Sequence, residues 1–119
     1  MQHKNEIQLE THDAVTLMDI KGDITAFSET FLNEAYQKAS DQGAGKILLK
    51  IDKDAYINSG GIALLIQILA QAKKNQQQIG ITGISEHFEK IFHMVGITKF
   101  AQIHNSLQES LEIMDGEAG

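Results

Sequence analysis

The sequence predicts an α/β fold in which a mixed, mostly parallel β-sheet of about five strands is covered by about four α-helices. From residue 46 onward, short apolar runs alternate with longer segments of helical periodicity, and this alternation requires crossover connections between parallel strands. The chain has 119 residues, of which 42% are hydrophobic, and this is enough for one buried core. We therefore expect a single domain over residues 1–119, with its core at about 7–114 and a frayed tail at 115–119.

The first third of the chain predicts a β-hairpin followed by a helix. Two short apolar stretches, 7–9 and 14–20, are separated by the polar residues 11–13, which is the pattern of two strands joined by a turn. Ser28 precedes Glu29 as a candidate N-cap with an acidic residue in the first helical turn. Apolar residues then recur at helical spacing: Phe31, Leu32, Ala35 and Ala39.

The middle of the chain predicts a buried strand, a long helix and a second strand. Residues 46–51 are nearly all apolar, which is typical of a strand buried on both faces. After a polar turn at 52–54, a long apolar helix begins near Asn58 and runs to about Asn75. Residues 79–84 alternate with a period of two and predict the next strand.

The last third predicts two further helices with a short strand between them. Ser85 is the expected N-cap of a helix that Gly96 ends. Residues 97–103 supply a final short strand. The capping box that begins at Ser106 and ends at Glu109 then starts the last helix.

Composition excludes several classes of function. The net charge of −6 repels a phosphate backbone, so nucleic acid is not an expected partner. The absence of cysteine leaves no disulfide framework, no thiolate metal site and no cysteine nucleophile. Residues 1–10 lack the pattern of a signal peptide, and no apolar run approaches the roughly 20 residues that span a bilayer. We expect a cytoplasmic protein that does not insert into a membrane.

No motif predicts a metal, a cofactor or catalysis. Five histidines are scattered along the chain (His3, His12, His87, His93 and His104). The closest two lie six residues apart on one predicted helix and so point to opposite faces. Gly60 and Gly61 lack the lysine and spacing of a phosphate-binding loop. Ser59 lies on a strand-to-helix turn without the flanking glycines of a hydrolase nucleophile, which makes an enzyme acting through Ser59 an unfavoured hypothesis.

The strongest signal lies just before the long helix, where Asn58 and Ser59 precede Gly60 and Gly61. A hydroxyl at this position is close to unpaired backbone N–H groups and to the positive end of the helix dipole. Either a simple N-cap or a covalently attached phosphate would be favoured there. Local physics leaves both interpretations of Ser59 open.

The segment 56–65 resembles the signature of STAS domains, the fold of anti-sigma-factor antagonists, in which Asp-Ser-Ser/Thr-Gly-Leu precedes an apolar helix. Residues 22–25 (Gly-Asp-Ile-Thr) resemble the Gly-Glu-Leu-Asp of that family, and 94–97 (Met-Val-Gly-Ile) resemble its Thr/Ser-Gly-Leu. Residues 46–51 occupy the place of the family's central strand. The resemblance covers about residues 7–114 and implies the STAS fold.

The resemblance also implies a function in partner switching. In such proteins, the unphosphorylated antagonist binds an anti-sigma factor that is also a serine protein kinase, and the sigma factor is released. Phosphorylation on the serine that corresponds to Ser59 abolishes binding, and a phosphatase of the PP2C type restores it. The expected state is a monomer or weak dimer. The expected partner-binding residues are Asp23, Thr25, Asn58, Ser59, Gly60, Gly61, Leu64 and Ile68.

The long helix leaves the position of Leu64 and Ile68 open. An apolar stripe suited to the sheet is formed by Ile62, Leu65, Ile66 and Leu69. Leu64 and Ile68 fall outside this stripe. They are either exposed beside Ser59 as the apolar part of a docking surface, or covered by a neighbouring helix.

Three positions depart from the family pattern. Asn58 replaces the usual aspartate, Gly60 replaces the second Ser/Thr, and Thr25 replaces the aspartate of Gly-Glu-Leu-Asp. Such a motif is also compatible with STAS proteins that are not phosphorylation switches. The alternative function is therefore a constitutive adaptor, such as the cytoplasmic subunit of a lipid-transporting ABC complex or a stressosome scaffold.

Overall fold

The computed structural model describes residues 5–116, and its strands and helices follow the expected order. The strands are β1 (Glu6–His12), β2 (Val15–Lys21), β3 (Lys46–Ile51), β4 (Gln78–Thr82) and β5 (Gln102–Ile103). The helices are α1 (Glu29–Asp41), α2 (Ser59–Lys74), α3 (Glu86–Met94) and α4 (Leu107–Gly116). Two 3₁₀ turns, Ala26–Ser28 and Ile97–Lys99, precede α1 and β5.

The strands form one mixed sheet with the spatial order β1-β2-β3-β4-β5. The β1 strand pairs antiparallel with β2, while β2, β3, β4 and β5 pair in parallel. The predicted α/β class with a mixed, mostly parallel sheet is therefore confirmed. The β3 strand lies at the centre of the sheet, and Ile47, Leu48 and Leu49 in succession are buried, as the apolar run predicts.

The two faces of the sheet are covered unequally. The larger core lies on the face that carries α1, α2 and α3, where apolar side chains of β2, β3 and β4 meet those of the three helices. On the other face, Met114 of α4 packs on a smaller cluster of Val15, Leu17 and Leu48. Parallel strands are joined by right-handed crossovers as a rule, and a strand order that runs in one direction then places successive helices on one face. Helices α2 and α3 consequently both begin at the edge of the sheet where β3 and β4 end.

The buried face of α2 differs from the predicted stripe by a rotation of the helix. Ile62 and Ile66 are only partly buried, whereas the fully buried positions are Gly61, Leu64, Leu65, Ile68, Leu69 and Ala72. Helix α1 packs beside α2, so Leu64 and Ile68 join the same core cluster as Leu32 and other residues of α1. The apolar arc of α2 is wide enough to satisfy both the sheet and this neighbouring helix.

Several boundaries also differ from the predictions. The hairpin turn lies at Asp13 and Ala14 rather than at 11–13, because His12 still pairs with Val15. Only Gln102 and Ile103 of the predicted strand 97–103 pair with β4, since Gly96 (φ +85°) turns the chain into a 3₁₀ turn that buries Ile97. Helix α4 continues to Gly116, while the rest of the predicted tail and His3 lie outside the described residues.

Candidate functional site

The candidate site lies where α2 begins, beside the loop that follows β2. Ile24 and Ile57 form a parallel bridge between the two segments. The backbone N–H of Ile24 donates to the Tyr56 carbonyl at 2.9 Å, and the N–H of Asn58 donates to the Ile24 carbonyl at 3.2 Å. This bridge fixes the start of α2 against residues 23–26. It brings together two motifs, 22–25 and 56–61, that are more than thirty positions apart in the chain.

Asn58 is the N-cap of α2. Its backbone is extended, and its side-chain Oδ1 accepts a hydrogen bond from the Gly61 N–H at 2.9 Å. The Asn58 carbonyl accepts the first backbone hydrogen bond of the helix, from Ile62 at 2.9 Å. Asn58 therefore caps α2 by pairing the N–H of Gly61 in the first turn, and the interpretation of Ser59 as the N-cap is wrong.

Ser59 is the first residue of α2, and its side chain is exposed. Within residues 5–116, no hydrogen-bond partner is present for the Ser59 hydroxyl, neither a histidine nor a carboxylate that could act as a base. The neighbouring amide carries out the capping instead, so the hydroxyl projects from a rigid turn without an internal role. Such a hydroxyl is accessible to the active site of another protein.

The two glycines after Ser59 allow the helix to approach residues 24–26 closely. A Cβ atom on Gly61 would lie 2.6 Å from the carbonyl carbon of Ile24 and closer still to its oxygen. A Cβ atom on Gly60 would lie 3.1 Å from the Cβ and from the backbone nitrogen of Ala26, a tighter contact than most side chains tolerate. Gly61 is buried, so the prediction that it contacts a partner is wrong, and its role is to permit close packing.

Asp23 and Thr25 hold the loop beside the helix start. The Asp23 carboxylate accepts from the Tyr56 N–H at 2.9 Å. The Thr25 hydroxyl accepts from the Phe27 N–H at 3.1 Å, and the Ser28 hydroxyl accepts in turn from the Thr25 N–H at 3.0 Å. Ser28 precedes α1 as predicted, but its side chain is buried and makes no cap hydrogen bond to that helix. Contact of Asp23 and Thr25 with a partner stays a prediction.

Leu64 and Ile68 do not belong to the exposed surface of the site. They are 3% and 4% exposed, because α1 and the turn before it cover that side of α2. The predicted docking role of these two residues is wrong for this physical reason. The large apolar side chains that are exposed near Ser59 are instead Phe27, at 74%, and Tyr56, at 60%. The sequence signal that could have found Phe27 is an aromatic residue in the short segment between β2 and α1.

The described residues offer no metal site at this end of the molecule or elsewhere. Across residues 5–116, no group of three His, Asp or Glu side chains could hold a metal ion. Over the same range, each helix is too short or too polar to cross a membrane. The chemistry at the start of α2 consists of one free hydroxyl, a capped helix terminus and two exposed aromatic rings.

Comparison with known proteins identifies the architecture. The model of the STAS domain family matches residues 6–110. The anti-sigma-B factor antagonist of Staphylococcus aureus is 19% identical over 102 residues, which cover 86% of this chain and 94% of the relative.

Solved structures show the same fold. An anti-sigma factor antagonist from Mycobacterium paratuberculosis superposes with a TM-score of 0.78 at 16% identity, covering 93% of this chain and 94% of that chain. The unphosphorylated form of the anti-sigma factor antagonist SpoIIAA gives a TM-score of 0.71 at 14% identity, covering 94% and 100%. The phosphorylated form of SpoIIAA, a Bacillus cell fate determinant, gives 0.65 at 15% identity, covering 91% and 98%.

Proposed function

The chain belongs to the STAS domain family, and we propose that it is an anti-sigma factor antagonist whose binding is switched off by phosphorylation on Ser59. The unphosphorylated chain binds an anti-sigma factor that is also a serine protein kinase, and the sigma factor is released. A phosphatase of the PP2C type removes the phosphate and restores binding. The switch operates in the cytoplasm, without nucleic acid, a cofactor or catalysis by the chain itself.

The observation that carries this proposal is the free hydroxyl of Ser59 at the start of α2. A kinase must bring the acceptor oxygen close to a bound nucleotide, so the oxygen has to be exposed and its loop has to hold a defined shape. Ser59 meets both conditions because Asn58 caps the helix and the Ile24 bridge fixes the turn. An enzyme acting through Ser59 would need an adjacent general base, and none is hydrogen-bonded to Ser59 within the described residues.

Phosphate on Ser59 is compatible with the fold. It adds about −1.5 to −2 charges next to the positive end of the α2 dipole, which stabilises an anion. No internal hydrogen bond of the Ser59 side chain within residues 5–116 has to break to accommodate it. We therefore expect the phosphorylated chain to keep its structure, with the cost of modification falling on the interface.

The interface is where the added charge acts. In the complex, Ser59 faces the nucleotide site of the kinase, so a phosphoserine dianion faces the phosphates of the nucleotide that remains. Repulsion between like charges and the loss of hydration both oppose binding. A loss of about 3 kcal/mol reduces affinity more than a hundredfold, which is enough for a switch.

The departures at Asn58 and Gly60 favour one second candidate, a constitutive STAS adaptor. Asn58 caps the helix as an aspartate would, but without a carboxylate charge at the partner surface. Gly60 leaves Ser59 as the single hydroxyl of the motif. In an adaptor, the same surface would bind a transporter ATPase or a scaffold without covalent control.

The test combines phosphorylation with binding. Each anti-sigma-type serine kinase of the source organism is purified and incubated with the chain and Mg-ATP, and intact mass is measured. We expect one of them to add about 80 Da on the peptide that contains Ser59. Ser59→Ala should abolish the modification and retain binding to that kinase, whereas Ser59→Asp should reduce the affinity by about a hundredfold.

The adaptor gives a different result in the same experiment. Neither Ser59→Ala nor Ser59→Asp would then change assembly, and no kinase would modify Ser59. Ser106→Ala is a matched control for the mass measurement, because Ser106 is also an exposed serine before a helix. Equal modification of Ser106 would show that the kinase acts without specificity and would contradict the proposal.

A further inference from the structure

Phe27 and Tyr56 are exposed aromatic residues on either side of Ser59. Tyr56 lies three positions before Ser59, and Phe27 follows Ala26, whose Cβ is packed against Gly60. The other large apolar side chains that are exposed among residues 5–116, Met94 and Val95, lie at the far end of α3. Tyr56 meets Phe88 in the first turn of α3, and Met94 lies about 9 Å farther along that helix. The two rings therefore form a local feature of the Ser59 surface.

The main chain that carries both rings is held by hydrogen bonds. The Tyr56 N–H donates to the Asp23 carboxylate at 2.9 Å, and the Tyr56 carbonyl accepts from Ile24 at 2.9 Å. The Tyr56 ring also meets the edge of Phe88, with the ring centroids 6.2 Å apart. The Phe27 N–H donates to the Thr25 hydroxyl at 3.1 Å. Because the main chain is already ordered, covering these rings costs the ordering of two side chains but little backbone entropy.

We propose that Phe27 and Tyr56 are the two apolar anchors through which the kinase that modifies Ser59 docks on this chain. The inference rests on the proposed function and adds to it the residues that determine affinity. Buried Tyr and Phe side chains in a small central patch contribute most of the binding energy in many interfaces. Leu64 and Ile68 cannot serve because they are already covered by α1.

Two observations select the kinase as the occupant of this surface. First, Ala26 packs against Gly60 and the bridge between Ile24 and Ile57 holds the Phe27 turn beside the start of α2, so both rings belong to the surface around Ser59. Second, an exposed carboxylate lies two positions from each ring, Glu29 from Phe27 and Asp54 from Tyr56. The partner surface should therefore carry two apolar sockets beside its nucleotide cleft, with basic residues at their rim.

The test uses the purified kinase that adds phosphate to Ser59, with the full-length chain as substrate. Phe27→Ala and Tyr56→Ala are compared with Met94→Ala, which removes another large apolar side chain, 83% exposed, at the last residue of α3. Each anchor variant should raise Kd by about 30-fold or more, and Met94→Ala should leave it within about twofold. In the kinase assay, KM for the chain should rise while kcat stays unchanged, since both rings bind before the transfer step.

The outcomes test the role of the two rings separately from the proposed phosphorylation switch. If the kinase modifies Ser59 but either anchor variant binds within about threefold of the wild type, the anchor proposal is overturned and the switch survives. If no kinase modifies Ser59, both proposals fail. Thermal melting of each variant excludes unfolding as the cause of lost affinity. Glu29→Gln should slow association at low ionic strength, and an unchanged rate would overturn the basic rim.

Discussion

Replacement of Gly61 by alanine tests whether close packing at the start of α2 holds the site together. The new Cβ would lie 2.6 Å from the carbonyl carbon of Ile24. That carbon belongs to the backbone, so the helix has to retreat by about 1 Å to reach an ordinary contact distance. The retreat strains the hydrogen bond from the Asn58 N–H to the Ile24 carbonyl at 3.2 Å and the Asn58 cap at 2.9 Å.

The expected loss follows from these contacts. Each strained hydrogen bond costs about 1 kcal/mol, and overpacking costs a further ~2 kcal/mol. Alanine recovers at most about 1 kcal/mol through its higher helix propensity. The net loss of about 3 kcal/mol corresponds to a fall in Tm of about 12 °C for a domain of this length.

Thermal unfolding followed by circular dichroism measures this difference. Gly45→Ala is the matched control, because a Cβ at Gly45 meets no atom within 4 Å. We expect its Tm to stay within about 2 °C of the wild type. If Gly61→Ala also melts within about 3 °C of the wild type, the start of α2 is loosely packed and the rigid presentation of Ser59 is refuted.

Three further substitutions test the cap, the covered face of α2 and one ion-pair network. Asn58→Ala should lower the unfolding free energy by about 1 kcal/mol through loss of the cap. Asn58→Asp should keep the cap and raise the unfolding free energy by about 0.5 kcal/mol at pH 7. Urea titration at pH 7 and at pH 3 should show that this gain vanishes when the carboxylate is protonated. Leu64→Ala should cost about 3 kcal/mol by urea titration because Leu64 is 3% exposed, and a loss below about 1 kcal/mol would place it at the surface. The pKa of Lys21 is raised above its ordinary value by attraction to Asp19, by a hydrogen bond to Asp52 and by attraction to Asp52. The stabilisation of the fold by these interactions is therefore complete below the ordinary pKa of lysine, and it is lost as the pH rises through the raised pKa. The difference in Tm between the wild type and Lys21→Met should therefore shrink between about pH 10 and pH 12, and a constant difference would contradict this assignment.

The local signals in the sequence were sufficient for the elements and for their order. The bounds of β3, the cap of α3 by Ser85 and the start of α4 after Ser106 are as predicted, because each depends on residues within a few positions of one another. The short strand β5 was less predictable. Its pairing with β4 depends on the turn at Gly96 and on the burial of Ile97, and the periodicity of the sequence does not predict this turn.

Residue order alone placed Ser59 at the beginning of an apolar helix and contained the motif that resembles the STAS signature. Three-dimensional packing was needed to show which neighbour caps that helix and which apolar side chains face the solvent. Periodicity fixes the angles between residues on a helix but not the rotation of the whole helix against its neighbours. In this protein, the contact of Gly61 with Ile24 and the cover of α1 over Leu64 set that rotation. Phe27 and Tyr56 stay exposed beside the hydroxyl, because their segments are held to the start of α2 through main-chain hydrogen bonds and the Tyr56 ring meets Phe88 in an edge contact.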